Sequence, residues 1–227
     1  ALPALSQGIA YFHAGQEVLR SKSLDRNSYD SGDWFNRLDL TYQDNGFGAG
    51  LPPKPDNGGQ WAFYEKLLAL PGVKPRPQDI VQAKDMFLDL LRIRASSSLF
   101  RMSEASEIQR RLRFHNTGPA QNPVLIVAEL DGQGYPGAGF DGLMVLINVS
   151  PQAQSFGLTS EAAAPSPASR LSNVLVPQST ATVSPWRLHP VQASAQAADA
   201  RVRAQAKFDA ANGRFVIPAR SAVVFVR

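Results

Sequence analysis

The chain is expected to be α/β in its first part and all-β in its second. Three features of the 227 residues support this. A nearly unbroken apolar run, Ile9, Ala10, Tyr11, Phe12 and Ala14, stands ahead of a polar stretch, as in a strand covered on both faces. From Pro77 to Arg94, apolar residues recur at helical spacing. After Leu99 the texture changes to short alternating or apolar runs separated by Gly, Asn and Pro, the pattern of an antiparallel β-sandwich.

In chain order, residues 1–8 lead into a strand over residues 9–14. Gly15 supplies a sharp turn. Polar residues follow where parallel α/β architectures place their chemistry, past the C-terminal end of a strand. Val18 to Gln78 is long, polar and turn-rich, yet Trp34, Phe35, Trp61, Phe63 and Tyr64 are too aromatic for disorder. Within it a short helix is predicted around Gln60–Leu70, with Trp61, Tyr64, Leu67 and Leu68 on one face and Pro71-Gly72 as the stop. The longer helix begins near Pro77 with Asp79 in its first turn, where the dipole favours an anion. Its apolar face is Ile80, Ala83, Phe87, Leu90 and Leu91. Strand, loop and helix make one βα unit. The domain boundary is expected near residues 96–104. Strands are expected at Ile108–Phe114, Val124–Glu129, Gly142–Asn148, Arg214–Ile217 and Ala222–Val226. Ala162–Arg170 reads as a low-complexity loop and Ala193–Ala206 as a weak surface helix.

Composition narrows the function classes. Hydrophobic residues make up 44% of the chain, enough for a core, and there is no Cys, which excludes disulfides and thiolate metal sites. Net charge is +4 with a pI near 9.6, but the densest basic run is Arg110-Arg111-Leu112-Arg113. That is a solvated strand edge or helix end, without the clustered stripe and interleaved aromatics of a nucleic-acid surface. No apolar stretch approaches the ~18 residues of a membrane span.

The words Gly8-Ile-Ala-Tyr-Phe-His-Ala-Gly-Gln-Glu-Val-Leu-Arg-Ser-Lys-Ser23 and Ser28-Tyr-Asp-Ser-Gly-Asp-Trp-Phe-Asn-Arg-Leu-Asp39 resemble the eighth strand and following loop of pullulanase-type starch-debranching enzymes. These belong to the α-amylase superfamily of glycoside hydrolases. The resemblance implies residues 1–98 as the C-terminal end of a (β/α)8 barrel and 99–227 as a C-terminal β-sandwich. A covered strand eight residues into the chain needs neighbours, so the chain is expected to be the C-terminal portion of a longer enzyme.

Asp30, Asp33, Asn36 and Arg37 carry the strongest chemical signal. If the segment is helical, Asp33 and Arg37 form an i,i+4 surface ion pair of small value. The other reading is sugar recognition: a carboxylate and a guanidinium accept and donate hydrogen bonds to vicinal hydroxyls, and Trp34 can stack on a pyranose. The resemblance implies Asp33 and Arg37 as contacts to glucose units on the non-reducing side of the cleavage point, with Asn36 and Trp34 beside them. His13 reads as a rim or core residue, and Glu17 as a partner of Arg20 and Lys22. Asp44, Asn45, Asp56 and Asn57 are either calcium ligands or Asx turns; their spacing does not match an EF-hand. Trp186 and His189 either line a carbohydrate patch or are buried against the barrel.

Family members hydrolyse α-1,6-glucosidic branch points in pullulan, starch and limit dextrins with retention. Retention needs two carboxyl groups about 5–5.5 Å apart. In the family these lie on earlier strands, so this chain is expected to lack the catalytic carboxylates and to be silent alone. Its expected partners are α-glucans, including maltooligosaccharides, and the N-terminal remainder of the enzyme. No cofactor is expected in this chain, with calcium conceivable in the whole enzyme. An extracellular or cell-surface location is expected by resemblance. The alternative is a stand-alone carbohydrate-binding or interaction module, suggested by a sandwich with exposed aromatics.

Overall fold

A computed structural model describes residues 1–158 and 185–227 of the chain. The loop expected at Ala162–Arg170 lies outside them. In chain order the elements are helices α1 (Leu2–Leu5), α2 (Asp33–Asn36), α3 (Lys54–Asn57), α4 (Trp61–Leu68), α5 (Pro77–Ala95) and α6 (Ala105–Arg111). Strands β1 (Leu112–Phe114), β2 (Leu125–Asp131), β3 (Gly142–Asn148), β4 (Gln154–Gly157) and β5 (Arg187–Leu188) follow. Helices α7 (Pro190–Ala193) and α8 (Ala200–Gln205) precede β6 (Lys207–Asp209), β7 (Arg214–Ile217) and β8 (Ser221–Val226). Two compact units result: Tyr11–Leu88, and Ala1–Ala10 with Asp89–Arg227.

The second unit is built on two antiparallel sheets, ordered β1-β2-β3-β8-β5 and β4-β7-β6. Strand β3 explains the arrangement. All seven of its residues are buried, because alternate side chains enter different cores. Leu143, Val145 and Ile147 join Val224, Val226 and Leu130 with helix and loop residues Ile93, Leu99, Phe100 and Met102. Met144 and Leu146 join Val223 and Phe225, and Phe215 and Ile217 of the smaller sheet. The antiparallel sheets expected after residue 99 are present.

Buried polar groups at the strand ends are paired. Asn148, 1% exposed, donates to the carbonyls of Gln152 and Pro218, each at 2.9 Å, and accepts from the Ser150 N–H. It ties the turn after β3 to the turn before β8. His189 is also 1% exposed. Its Nδ1 accepts from the Val191 N–H at 3.2 Å, which leaves Nε2 to donate to Ser96 Oγ at 3.0 Å. Burial pushes its pKa down to about 4. Trp186 is buried among Phe215 and its neighbours. Both residues are therefore buried, and within the sheet unit itself.

Several elements differ from the sequence expectation. Residues 9–14 form no strand, and Ile9 and Tyr11 are 85% and 84% exposed. An all-apolar strand is stable only between pairing neighbours, and no described strand pairs with this segment. The run Ile108–Phe114 divides: Glu107 pairs with Arg110 and Arg111 at helical spacing, so α6 holds to Arg111 and only Leu112–Phe114 extend. Arg111 is not solvated. At 3% side-chain exposure it donates to Glu107 and to the carbonyls of Asp131 and Gln133 and lies over the Tyr135 ring. Helix α8 occupies the last part of Ala193–Ala206. Helices α4 and α5 stand where the periodicity places them.

In the unit Tyr11–Leu88, helices are short except α4 and the start of α5. Val18, Phe35 and Ile80 are its buried large apolar residues, beside buried Ser23, Asp25, Ser28, Asn45 and Asn57. Phe12 meets Phe87 edge-on at 5.0 Å.

Candidate functional site

The loop from Gly15 to Asn45 presents α2. Gly15 has φ +91°, and a Cβ there would stand 2.7 Å from Arg20 and Leu38 side-chain carbons, so glycine is required for the turn. Glu17 accepts the Gly15 N–H at 3.1 Å. No pairing with Arg20 or Lys22 is found, which corrects the sequence reading. Arg20 turns instead to the C-terminal end of α2, donating to the carbonyl of Asn36 at 2.6 Å and that of Arg37 at 3.4 Å. Those are carbonyls a helix end leaves unpaired.

Helix α2 begins after Gly32, whose φ is +76°. Phe35 points inward at 9% exposure, while Trp34 is 70% exposed and Tyr29 96%. Asp33 and Arg37 are exposed as well. They form no ion pair. Arg37 ends the helix with extended ψ, and its guanidinium lies 3.9 Å from Asp39. Hydrogen bonds from the Thr41 hydroxyl and N–H hold the Asp39 carboxyl below its ordinary pKa. The exposed carboxylate of Asp33 makes no side-chain hydrogen bond among the described residues. Asn36 is engaged: its Nδ2 donates to the carbonyls of Ser28 and Gly32, and its Oδ1 accepts from the Ser28 hydroxyl at 2.8 Å. A free carboxylate, a guanidinium and an exposed indole on one short segment can accept from hydroxyls, donate to them and stack on an apolar ring face.

The Asx residues close turns. Asp44 accepts the Gly46 N–H and pairs with Lys74 at 2.5 Å. Asn45 accepts the Phe47 N–H. Asp56 faces Arg26 and Asn27. Asn57 accepts the Arg26 N–H at 3.0 Å and donates to Asp25 Oδ1 and the Pro53 carbonyl, each at 2.9 Å. Their oxygens face N–H groups and cations, so this set does not fit a calcium ion. Among the described residues no three His, Cys, Asp or Glu gather as for a metal, and no helix is long and apolar enough to cross a membrane. His13 is exposed.

Sequence reasoning missed the bonds of Arg20 to the end of α2, Tyr29 and the Asp25–Asn57 link. Tyr29 lies inside the resembling words and its type suits stacking. Asp25 and Asn57 are 32 residues apart, beyond any local pattern. The exposed aromatics expected on the sandwich are scarce. Among large side chains of the described sheets, Phe114 is the one aromatic that is mostly exposed.

Comparisons with known proteins agree on one family. The model for "Alpha-1,6-glucosidases, pullulanase-type, C-terminal" matches residues 42–227; Asp33 to Arg37 precede that span. Pullulanase 1, chloroplastic, of Arabidopsis thaliana is 45% identical over 230 residues, covering 98% of this chain and 22% of that protein. The crystal structure of PulA from Klebsiella oxytoca superposes with a TM-score of 0.74 at 30% identity, over 98% of this chain and 19% of that one. A maltotriose complex of PulA from Klebsiella pneumoniae gives 0.72 at 30% identity, over 98% and 22%. The chain thus spans about a fifth of the length of these relatives.

Proposed function

We propose, from the premise that this chain belongs to the C-terminal family of pullulanase-type α-1,6-glucosidases, that it is the C-terminal portion of a longer debranching glycoside hydrolase. The reaction is retaining hydrolysis of α-1,6-glucosidic branch linkages in pullulan, starch and limit dextrins. One observation carries this reading: 45% identity across 98% of this chain, set against 22% of the relative's length. The catalytic carboxylate pair, about 5–5.5 Å apart for retention, belongs to the remainder of the enzyme.

In that enzyme, residues 1–98 close a (β/α)8 barrel, with residues 9–14 as its eighth strand and α5 as the helix that follows; residues 99–227 form the stabilising sandwich. The exposed apolar side chains of Ile9 and Tyr11 support this, since they suit a strand whose partners lie elsewhere in the enzyme. Asp33 and Arg37 contact the glucose units on the non-reducing side of the cleaved bond, with Trp34 stacking on a ring and Asn36 beside them. Their exposure and the Asp33 carboxylate, unpaired among the described residues, support that role, as does the maltotriose bound in a relative. Fixed polar groups discriminate among sugars because a mismatched hydroxyl leaves a partner unsatisfied.

Reducing-sugar release from pullulan tests the reading. The complete enzyme should turn over and the isolated 227-residue chain should not. Turnover by the isolated chain would overturn it. Placement outside the cell or on its surface is proposed by resemblance, together with the size of polymeric α-glucans, while one relative is named as chloroplastic; cell fractionation decides.

A further inference from the structure

We infer that Asn57 and Asp25 are positioning residues for the sugar-contacting helix α2, an inference that rests on the role of Asp33 proposed above. The unit carrying α2 has few apolar anchors, and α2 itself has only Phe35. What holds it is a continuous run of hydrogen bonds. Asn57, 2% exposed, donates to Asp25 Oδ1 and takes the Arg26 N–H. The same Asp25 oxygen takes the Asn27 N–H at 3.1 Å. Ser28 comes next, and its hydroxyl and carbonyl bind the Asn36 carboxamide at 2.8 and 2.6 Å. Asn36 closes the helix that bears Asp33 and Trp34.

The backbone just ahead of this run is strained. Ser23 and Leu24 have φ of +48° and +70°, the left-handed region that is unfavourable for a residue with a Cβ. Such residues persist where their surroundings over-determine them. Here the fully buried Ser23 hydroxyl accepts the N–H groups of Gly48 and Ala49, both at 3.0 Å. The chain is thus clamped at Ser23 and again at Asp25–Asn57. Residues from 25 to 36 are set as one piece, and the side chains of Asp33 and Trp34 are aimed by it. Removing Asn57 frees that piece and misplaces its outer face, which weakens glucan binding without touching the reacting atoms.

The test is a double-mutant cycle in the complete enzyme, with KM and kcat measured on pullulan. Asn57→Ala should raise KM about tenfold with kcat within about twofold, and should raise it by clearly less in an Asp33→Ala background, where only the aim of Trp34 is left to lose. An equal rise in both backgrounds would overturn the inference. So would an unchanged KM for Asn57→Ala beside a raised KM for Asp33→Ala, and then the sugar-contact reading survives alone. An unchanged KM for Asp33→Ala sinks both. If Asn57→Ala does not accumulate folded, Asn57→Ser runs the same cycle, since its hydroxyl is too short to reach both Asp25 and Pro53. Asp25→Asn keeps the accepting Oδ1 and should leave KM within about twofold of the parent; a tenfold rise there would count against the hydrogen-bond frame.

Discussion

The unit Tyr11–Leu88 and the sheet unit solve the same problem with different materials. The sheet unit buries two apolar cores on opposite faces of β3. The loop unit buries Ser23, Asp25, Ser28, Asn45 and Asn57 beside three large apolar residues. Apolar packing is non-directional and cumulative, whereas hydrogen bonds are directional and worth only about 0.5–1.5 kcal/mol net each. The sheet unit is therefore suited to hold, and the loop unit to aim. Trp34 and Tyr29 can stay exposed on the loop because α2 is fixed from behind by polar partners.

The sharpest way to break this comparison is Phe215→Ala. Phe215 is fully buried among Trp186, Phe208 and Phe225, so the cavity should cost about 3–5 kcal/mol in urea unfolding; a loss under ~1 kcal/mol would deny that this core holds the unit. Next is pH. His189 titrates near 4 when folded and near 6.5 when unfolded. Between those values the unfolded chain binds the extra proton, so stability is complete above about pH 6.5 and falls as pH drops toward 4. The loss should approach roughly 3 kcal/mol, and His189→Gln should flatten that part of the pH–stability curve. Asn148→Ala should cost about 1–3 kcal/mol, because it leaves the Pro218 and Gln152 carbonyls without their donor. Smallest in stability is Asp33→Ala, which should shift unfolding by less than ~0.5 kcal/mol while raising KM for pullulan about tenfold. Equal losses of stability and binding there would erase the distinction between holding and aiming.

Much of the helix and sheet framework was legible in the sequence. Helices α4 and α5 follow their apolar period, and β3 and β7 lie where runs of branched and aromatic residues stand between turn residues. Strands β5 and β6, two and three residues long, are too short to show any period, and pairing alone defines them. The run at residues 9–14 reads as a strand, yet it forms none, because an apolar strand needs pairing neighbours and no described strand pairs with it. The strand expected from Ile108 begins only at Leu112, because charge pairing, invisible to hydropathy, carries α6 to Arg111. At the site, the outer residues Asp33, Trp34 and Arg37 were legible as residue types in a resembling word. The frame behind them was not, because Asp25–Asn57 and Ser23–Gly48 join segments distant in the chain.

Arg94 holds a different lesson. Its guanidinium donates to the carbonyls of Ala4 and Ser6, at 3.1 and 2.7 Å, and to that of Gly8. It thereby grips the opening segment by main-chain oxygens that every amino acid possesses. Such a tether is blind to spelling and sets only the path of the backbone; the letters are held by other means, Ala4 and Leu5 by burial and Gln7 by its bonds to the Leu99 carbonyl and the Met102 N–H.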